Sequence, residues 1–213
     1  MSNTEEMKVE AQEIPTPQSL EANDSFDDPR HLPVFPTSVF EFTVKESEEL
    51  NKSLSEAMTK VDNPSGVPNW STQNNLHMSG DFDSLESYIL KSAGQVLDFL
   101  TFQYKELAGT SLTANTVTKP DRSPPQTFSN NVLSGVYCLK AGGGKIVLND
   151  PRSQAWMVRP NVSEVSVFNS DVFVIDFSED KMIVIPSWLQ RFMVFPEDTE
   201  ENIYFTWTAM LKS

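Results

Sequence analysis

Apolar residues along this chain change their spacing twice, and the changes divide it. Residues 1–30 carry no apolar period; they are rich in Glu, Asp, Ser, Pro and Gln and read as an extended acidic tail. The folded body is expected over 31–213. Val39, Phe40, Phe42 and Val44 predict a strand. From Lys45 to Val61, Leu50, Leu54, Ala57, Met58 and Val61 fall on one helical stripe, closed by Asn63-Pro64-Ser65-Gly66. A second stripe, with Leu85, Tyr88, Ile89, Ala93, Val96, Leu97, Leu100 and Tyr104, predicts a helix from Asp83 to Leu107. Gly94 inside it marks either a close contact or two abutting helices.

After Gly109 the period shortens. Eight β-rich runs follow, separated by Gly, Pro, Asn and Asp: Leu112–Val117, Val132–Leu139, Lys145–Leu148, Glu164–Phe168, Val172–Phe177, Met182–Ile185, Phe192–Phe195 and Ile203–Thr208. Eight short strands after two packing helices predict a mainly β (α+β) fold, a jelly-roll or double-stranded β-helix. No run of 18 apolar residues is present and the N-terminus has no apolar h-region, so neither a membrane partner nor a secretory signal is expected.

The formal net charge of −14 argues against phosphate-directed binding, so nucleic acid is not an expected partner. Cys138 is the only cysteine, which excludes an intrachain disulfide and fits a reducing compartment. It reads as a small buried hydrophobe. Gly142-Gly143-Gly144 lacks the Lys-Ser/Thr and helix of a P-loop and reads as a hairpin turn. Asp150-Pro151-Arg152 reads as a structural turn after a strand. Glu46-Ser47-Glu48-Glu49 suits a helix start, and Asp198-Thr199-Glu200-Glu201 a solvated turn; neither has the looped pattern with glycine that calcium favours.

Four ordered segments resemble the 2-oxoglutarate- and Fe(II)-dependent oxygenases of marine bacteria and their phages. These are Trp70–His77 with Phe82-Asp83-Ser84-Leu85, Leu133–Leu139, Gly142–Ile146 with Asn149–Arg152, and Ile185–Leu189. The resemblance spans roughly Leu32 to Ala209 and implies a double-stranded β-helix. It also implies where the family's iron ligands would lie: a His-x-His pair at Gln126 and Phe128, and the distal histidine at Arg191. The arginine that grips the cosubstrate carboxylate would stand at Asn202. Phenylalanine has no lone pair, a neutral amide is a poor Fe(II) ligand, and a guanidinium repels a cation. The chain holds only His31 and His77, and neither lies near these positions.

The expectation is therefore a chain with no metal, no cofactor and no catalysis: an oxygenase-like structural or interaction protein. A phage virion component (neck, tail or capsid surface) is the reading, its acidic arm binding neighbouring subunits in an oligomer. Location is then the virion, assembled in host cytoplasm, or otherwise the cytoplasm. Two alternatives stand beside it: a divergent 2-oxoglutarate/Fe(II)-dependent hydroxylase, and a metal-free small-molecule binder at the barrel mouth. For Arg191, two placements are open: filling the vacated metal pocket beside Gln126, or pointing to solvent.

Overall fold

The computed structural model describes residues 34–45, 47–61, 67–158 and 160–212. The acidic tail over 1–30 and His31 lie outside them. The described residues form two α-helices and ten strands: β1 Phe40–Thr43, α1 Ser47–Met58, β2 Asn69–Ser71, α2 Asp83–Phe99, β3 Glu106–Val117, β4 Asp121–Arg122, β5 Leu133–Lys140, β6 Lys145–Asn149, β7 Val172–Asp176, β8 Lys181–Pro186, β9 Arg191–Phe195 and β10 Asn202–Lys212. The larger sheet runs β1-β8-β5-β10-β3-β2 and the smaller β4-β9-β6-β7, each pair antiparallel. From β3 onward the chain crosses repeatedly between the sheets, with only β6 and β7 succeeding one another within the smaller one, which is the double-stranded β-helix expected from the strand count.

The alternation of side chains explains the layers. On β5, Leu133, Tyr137 and Leu139 face the helices, packing with Leu54, Leu85, Ile89 and Leu97; on β8, Met182 and Val184 do the same. The intervening residues, Val136 and Cys138 on β5 and Ile183 and Ile185 on β8, face the smaller sheet and meet Ile146, Leu148, Met193 and Phe195. A strand buried on both faces needs an unbroken apolar run, which is why Leu133–Leu139 carries almost no polar position. No helix among the described residues is long and apolar enough to cross a membrane.

Several predicted boundaries and elements are corrected. The second helix stops at Phe99, not Leu107: Leu100 and Thr101 close its last carbonyls, Thr101 takes a left-handed φ of 57°, and Glu106 already pairs with Lys212. The helix is continuous through Gly94. Residues Glu164–Phe168 form no strand, because Asn169 captures the backbone locally. Its side chain accepts from Ser166 N at 2.7 Å and donates to the Glu164 carbonyl at 2.9 Å, so those groups do not join a ladder. Gly142–Gly144 is not a hairpin: β5 belongs to the larger sheet and β6 to the smaller, so this turn carries the chain from one to the other. The two short strands β2 and β4 had no pattern long enough to predict them.

Candidate functional site

The strands set up an asymmetric barrel interior. On β10 the inward positions are Asn202, Tyr204, Thr206 and Thr208, facing Val117, Asn115, Thr113 and Ser111 of β3. One end, around Val117, Cys138, Tyr204 and Phe195, is apolar. The other end is a polar floor. Thr208 Oγ1 lies 2.7 Å from Thr110 Oγ1 and 2.6 Å from Ser111 Oγ, while Ser71 Oγ donates to Asn115 Oδ1 at 2.7 Å. The floor has a sequence signal: Ser111, Thr113 and Asn115 on β3 and Thr206 and Thr208 on β10 stand at every second position, alternating with Leu112, Ala114, Phe205 and Trp207.

Two clefts open on that floor. One, of about 390 Å³, is lined by Asn69, Asn115, Asp121, Arg122, Arg191 and Tyr204, among others. The second, of about 620 Å³, includes Thr113, Phe128, Asn131, Thr206 and Thr208. Gln126, Ser71, Asn115 and Thr206 line both.

Three of the four sequence-derived positions meet here. Gln126 pairs with Arg191 across an antiparallel bridge, Gln126 N to Arg191 O at 2.8 Å and Arg191 N to Gln126 O at 3.0 Å. Directly opposed residues put their side chains on the same face, so Gln126 and Arg191 emerge side by side. Phe128 is fixed by its N–H to the Ser187 carbonyl at 2.9 Å, and the Arg191 guanidinium carbon stands 4.9 Å from its ring centroid. Arg191 points inward and is 2 % exposed. Its Nη2 donates to the Gly135 carbonyl at 3.3 Å, and its buried Nη1 has no hydrogen-bond partner. Burial pushes its pKa down to about 10, against a weaker opposing pull from Tyr204, whose own hydroxyl burial pushes above the ordinary value.

Asn202 is elsewhere in function if not in strand. Fully buried, its Oδ1 accepts from Gly142 N at 2.8 Å and Gly144 N at 3.0 Å, and its Nδ2 donates to Thr199 Oγ1 and the Glu200 carbonyl at 2.9 Å each. It holds the inter-sheet turn and lines neither cleft. His77 sits in a 3₁₀ turn, Leu76–Met78, away from the clefts. Cys138 is buried in the barrel, where desolvation pushes its thiol up to about 12. Arg152 folds back on Asp150 through two side-chain contacts at 2.9 and 2.7 Å, a structural turn. Glu201 pairs with Lys140 at 2.7 Å.

These residues do not fit an Fe(II) ion. A non-haem Fe(II) site of this kind takes two imidazoles and a carboxylate on one face of the metal. Here an amide, an aromatic ring and a guanidinium meet instead, and among the described residues no three His, Cys, Asp or Glu side chains cluster to hold a metal.

No protein-family model matches the sequence, and no curated protein matches it. Solved structures do. An oxidoreductase of the 2OG-Fe(II) oxygenase family from Burkholderia pseudomallei is 10% identical with a TM-score of 0.56, covering 81% of this chain and 84% of its own. The non-haem α-ketoglutarate-dependent epimerase SnoN of nogalamycin biosynthesis is 10% identical at TM-score 0.57, covering 82% and 78%. A Pseudomonas putida prolyl-4-hydroxylase is 9% identical at TM-score 0.55, covering 83% and 94%. The chain thus has the double-stranded β-helix of the 2-oxoglutarate oxygenases. The expectation that it is not an enzyme is corrected by this finding. Its structural neighbours are oxygenases, hydroxylases and epimerases, and the side chains at one predicted site are no measure of lost activity.

Proposed function

We propose that this chain is a divergent protein of the oxygenase fold that takes a small organic molecule into the barrel mouth and acts on it there. The two polar clefts that share Gln126, opening onto the hydroxyl-lined floor, carry this reading. The elements that build them are short backbone-paired segments on a rigid barrel, a placement that suits a ligand site. The structural neighbours support enzymes as the company this fold keeps.

A second reading is favoured by Arg191: a metal-free site, in which the positions matching the family's iron ligands are Gln126, Phe128 and Arg191 and a protein cation stands in the mouth. The virion reading has no comparable observation among the described residues, and the arm it invoked falls outside them.

Aerobic incubation with Fe(II), ascorbate and 2-oxoglutarate, followed for oxygen uptake and succinate, separates the two. Turnover abolished by a chelator establishes a divergent hydroxylase with ligands other than these three residues. Saturable binding of an organic ligand without oxygen uptake establishes the metal-free form. A purified protein that does neither, across a broad set of small organic probes, refutes the small-molecule reading.

A further inference from the structure

We propose that the ligand of this cleft carries a carboxylate, held between the Arg191 guanidinium and the Gln126 amide. The inference rests on the small-molecule reading above and specifies its chemistry.

The reason is the state of Arg191. A cation removed from water is retained at tolerable cost only when it is paired and hydrogen-bonded. Among the described residues, the Arg191 guanidinium meets one neutral carbonyl at 3.3 Å and the face of Phe128. No carboxylate among the described residues forms an ion pair with it, and Nη1 has neither an acceptor nor contact with water. A residue needed only to fill the space would be Leu or Met. A guanidinium presents a planar fork that suits a carboxylate's two oxygens, and it stays charged across the physiological range.

The surroundings agree in sign. Arg122 lines the same cleft, its guanidinium carbon 4.4 Å from the Phe192 ring centroid. Gln126 adds an amide donor on the same face as Arg191. Asp121 is the opposing charge; its Oδ2 accepts from Asn69 Nδ2 at 3.4 Å, and it sets the ligand's anionic end toward Arg191. Gln126 and Arg191 line the cleft together, and the Gln126 side chain is exposed. The cleft's 390 Å³ suits a metabolite-sized acid.

The test titrates the purified full chain with succinate, 2-oxoglutarate and benzoate, alongside succinamide, benzamide and inorganic phosphate. Calorimetry and thermal shift are the readouts. A carboxylate should bind saturably, at least 10-fold tighter than its amide, and raise the melting temperature by roughly 5 °C at a hundredfold excess over Kd. Arg191→Met should fold and bind roughly 30-fold more weakly or worse. Gln126→Glu supplies an internal carboxylate, so it should raise the unliganded melting temperature and abolish the carboxylate response. Equal binding by Arg191→Met, an unchanged response in Gln126→Glu, or phosphate binding as tightly as any carboxylate overturns the inference. If amides bind as well as acids to both wild type and Arg191→Met, the carboxylate inference falls while the small-molecule site stands. If no probe binds, the carboxylate inference falls, and the small-molecule reading is decided by the oxygen-uptake and broad-probe experiment above.

Discussion

Gly135 lies flat against Trp207. The two residues are direct partners across β5 and β10, and a Cβ on Gly135 would overlap Cε2 and Cζ2 of the indole and the Ile183 carbonyl oxygen. Trp207 is fully buried under α2 and its Nε1 donates to Met182 Sδ at 3.2 Å, so the ring cannot retreat. The same Gly135 offers its carbonyl to Arg191. One glycine therefore allows Trp207 to pack against the strand and, among the described residues, supplies the one hydrogen-bond acceptor of the buried guanidinium.

Gly135→Ala should lower stability by about 2–3 kcal/mol or more, since one obstacle is backbone and overpacking there cannot relax through a rotamer. Urea denaturation with an unchanged slope and a lowered midpoint is the expected record. A midpoint within error of wild type would mean that Trp207 can move.

Asn202→Ala should cost about 2–4 kcal/mol, because it strands the N–H groups of Gly142 and Gly144 without their acceptor. Asn202→Asp keeps that acceptor but loses the donor to Thr199 and Glu200, and should fall between. Hydrogen exchange at Gly144 N–H should accelerate in the alanine variant and stay protected in the aspartate one.

Alkaline stability has a sign fixed by Cys138. The folded protein holds the thiol neutral up to about 12, against an ordinary 9.0, because burial penalises the thiolate. The folded state then binds more protons than the unfolded one in that window, so stability is full below pH 9 and falls between 9 and 12. The buried Tyr137 and Tyr204 hydroxyls, both raised by desolvation, act in the same direction above pH 10. Cys138→Ala should flatten the pH 9–12 slope of the urea midpoint. Rapid labelling of native Cys138 by a thiol reagent at pH 8 would contradict its burial.

Arg191 works against that trend. Its folded pKa of about 10 lies below the ordinary 12.5, so the unfolded state binds more protons between these values. The destabilisation is complete below pH 10 and relieved as pH rises. Arg191→Met removes the uncompensated charge and should stabilise the unliganded protein by about 1–3 kcal/mol at pH 7, with the difference shrinking above pH 10. Destabilisation by more than 1 kcal/mol would mean the cation is already satisfied.

Much of the fold was legible before any coordinates. The switch from helical to alternating period after Gly109 marked the layers, and the double-sided apolar run at Leu133–Leu139 marked a central strand. Side-chain period is a local consequence of backbone geometry, so a linear pattern records it. The differences arise where a distant strand or a local side-chain capture overrules the apolar pattern. Tyr104 and Leu107 keep helical spacing, yet the chain from Glu106 is taken by pairing with β10. Glu164–Phe168 is rich enough in valine for a strand, but Asn169 captures its backbone.

The site divides in the same way. Sequence by itself determined that Gln126, Phe128 and Arg191 bring an amide, an aromatic ring and a guanidinium, and so which donor chemistry they can supply. Only the tertiary structure decided what those residues do. Asn202 and Arg191 are both buried polar side chains on inward faces, yet one makes four hydrogen bonds around a turn and the other leaves a nitrogen bare. Whether a buried polar group is satisfied depends on which chain segments fold around it, and those segments lie tens of residues apart in the sequence.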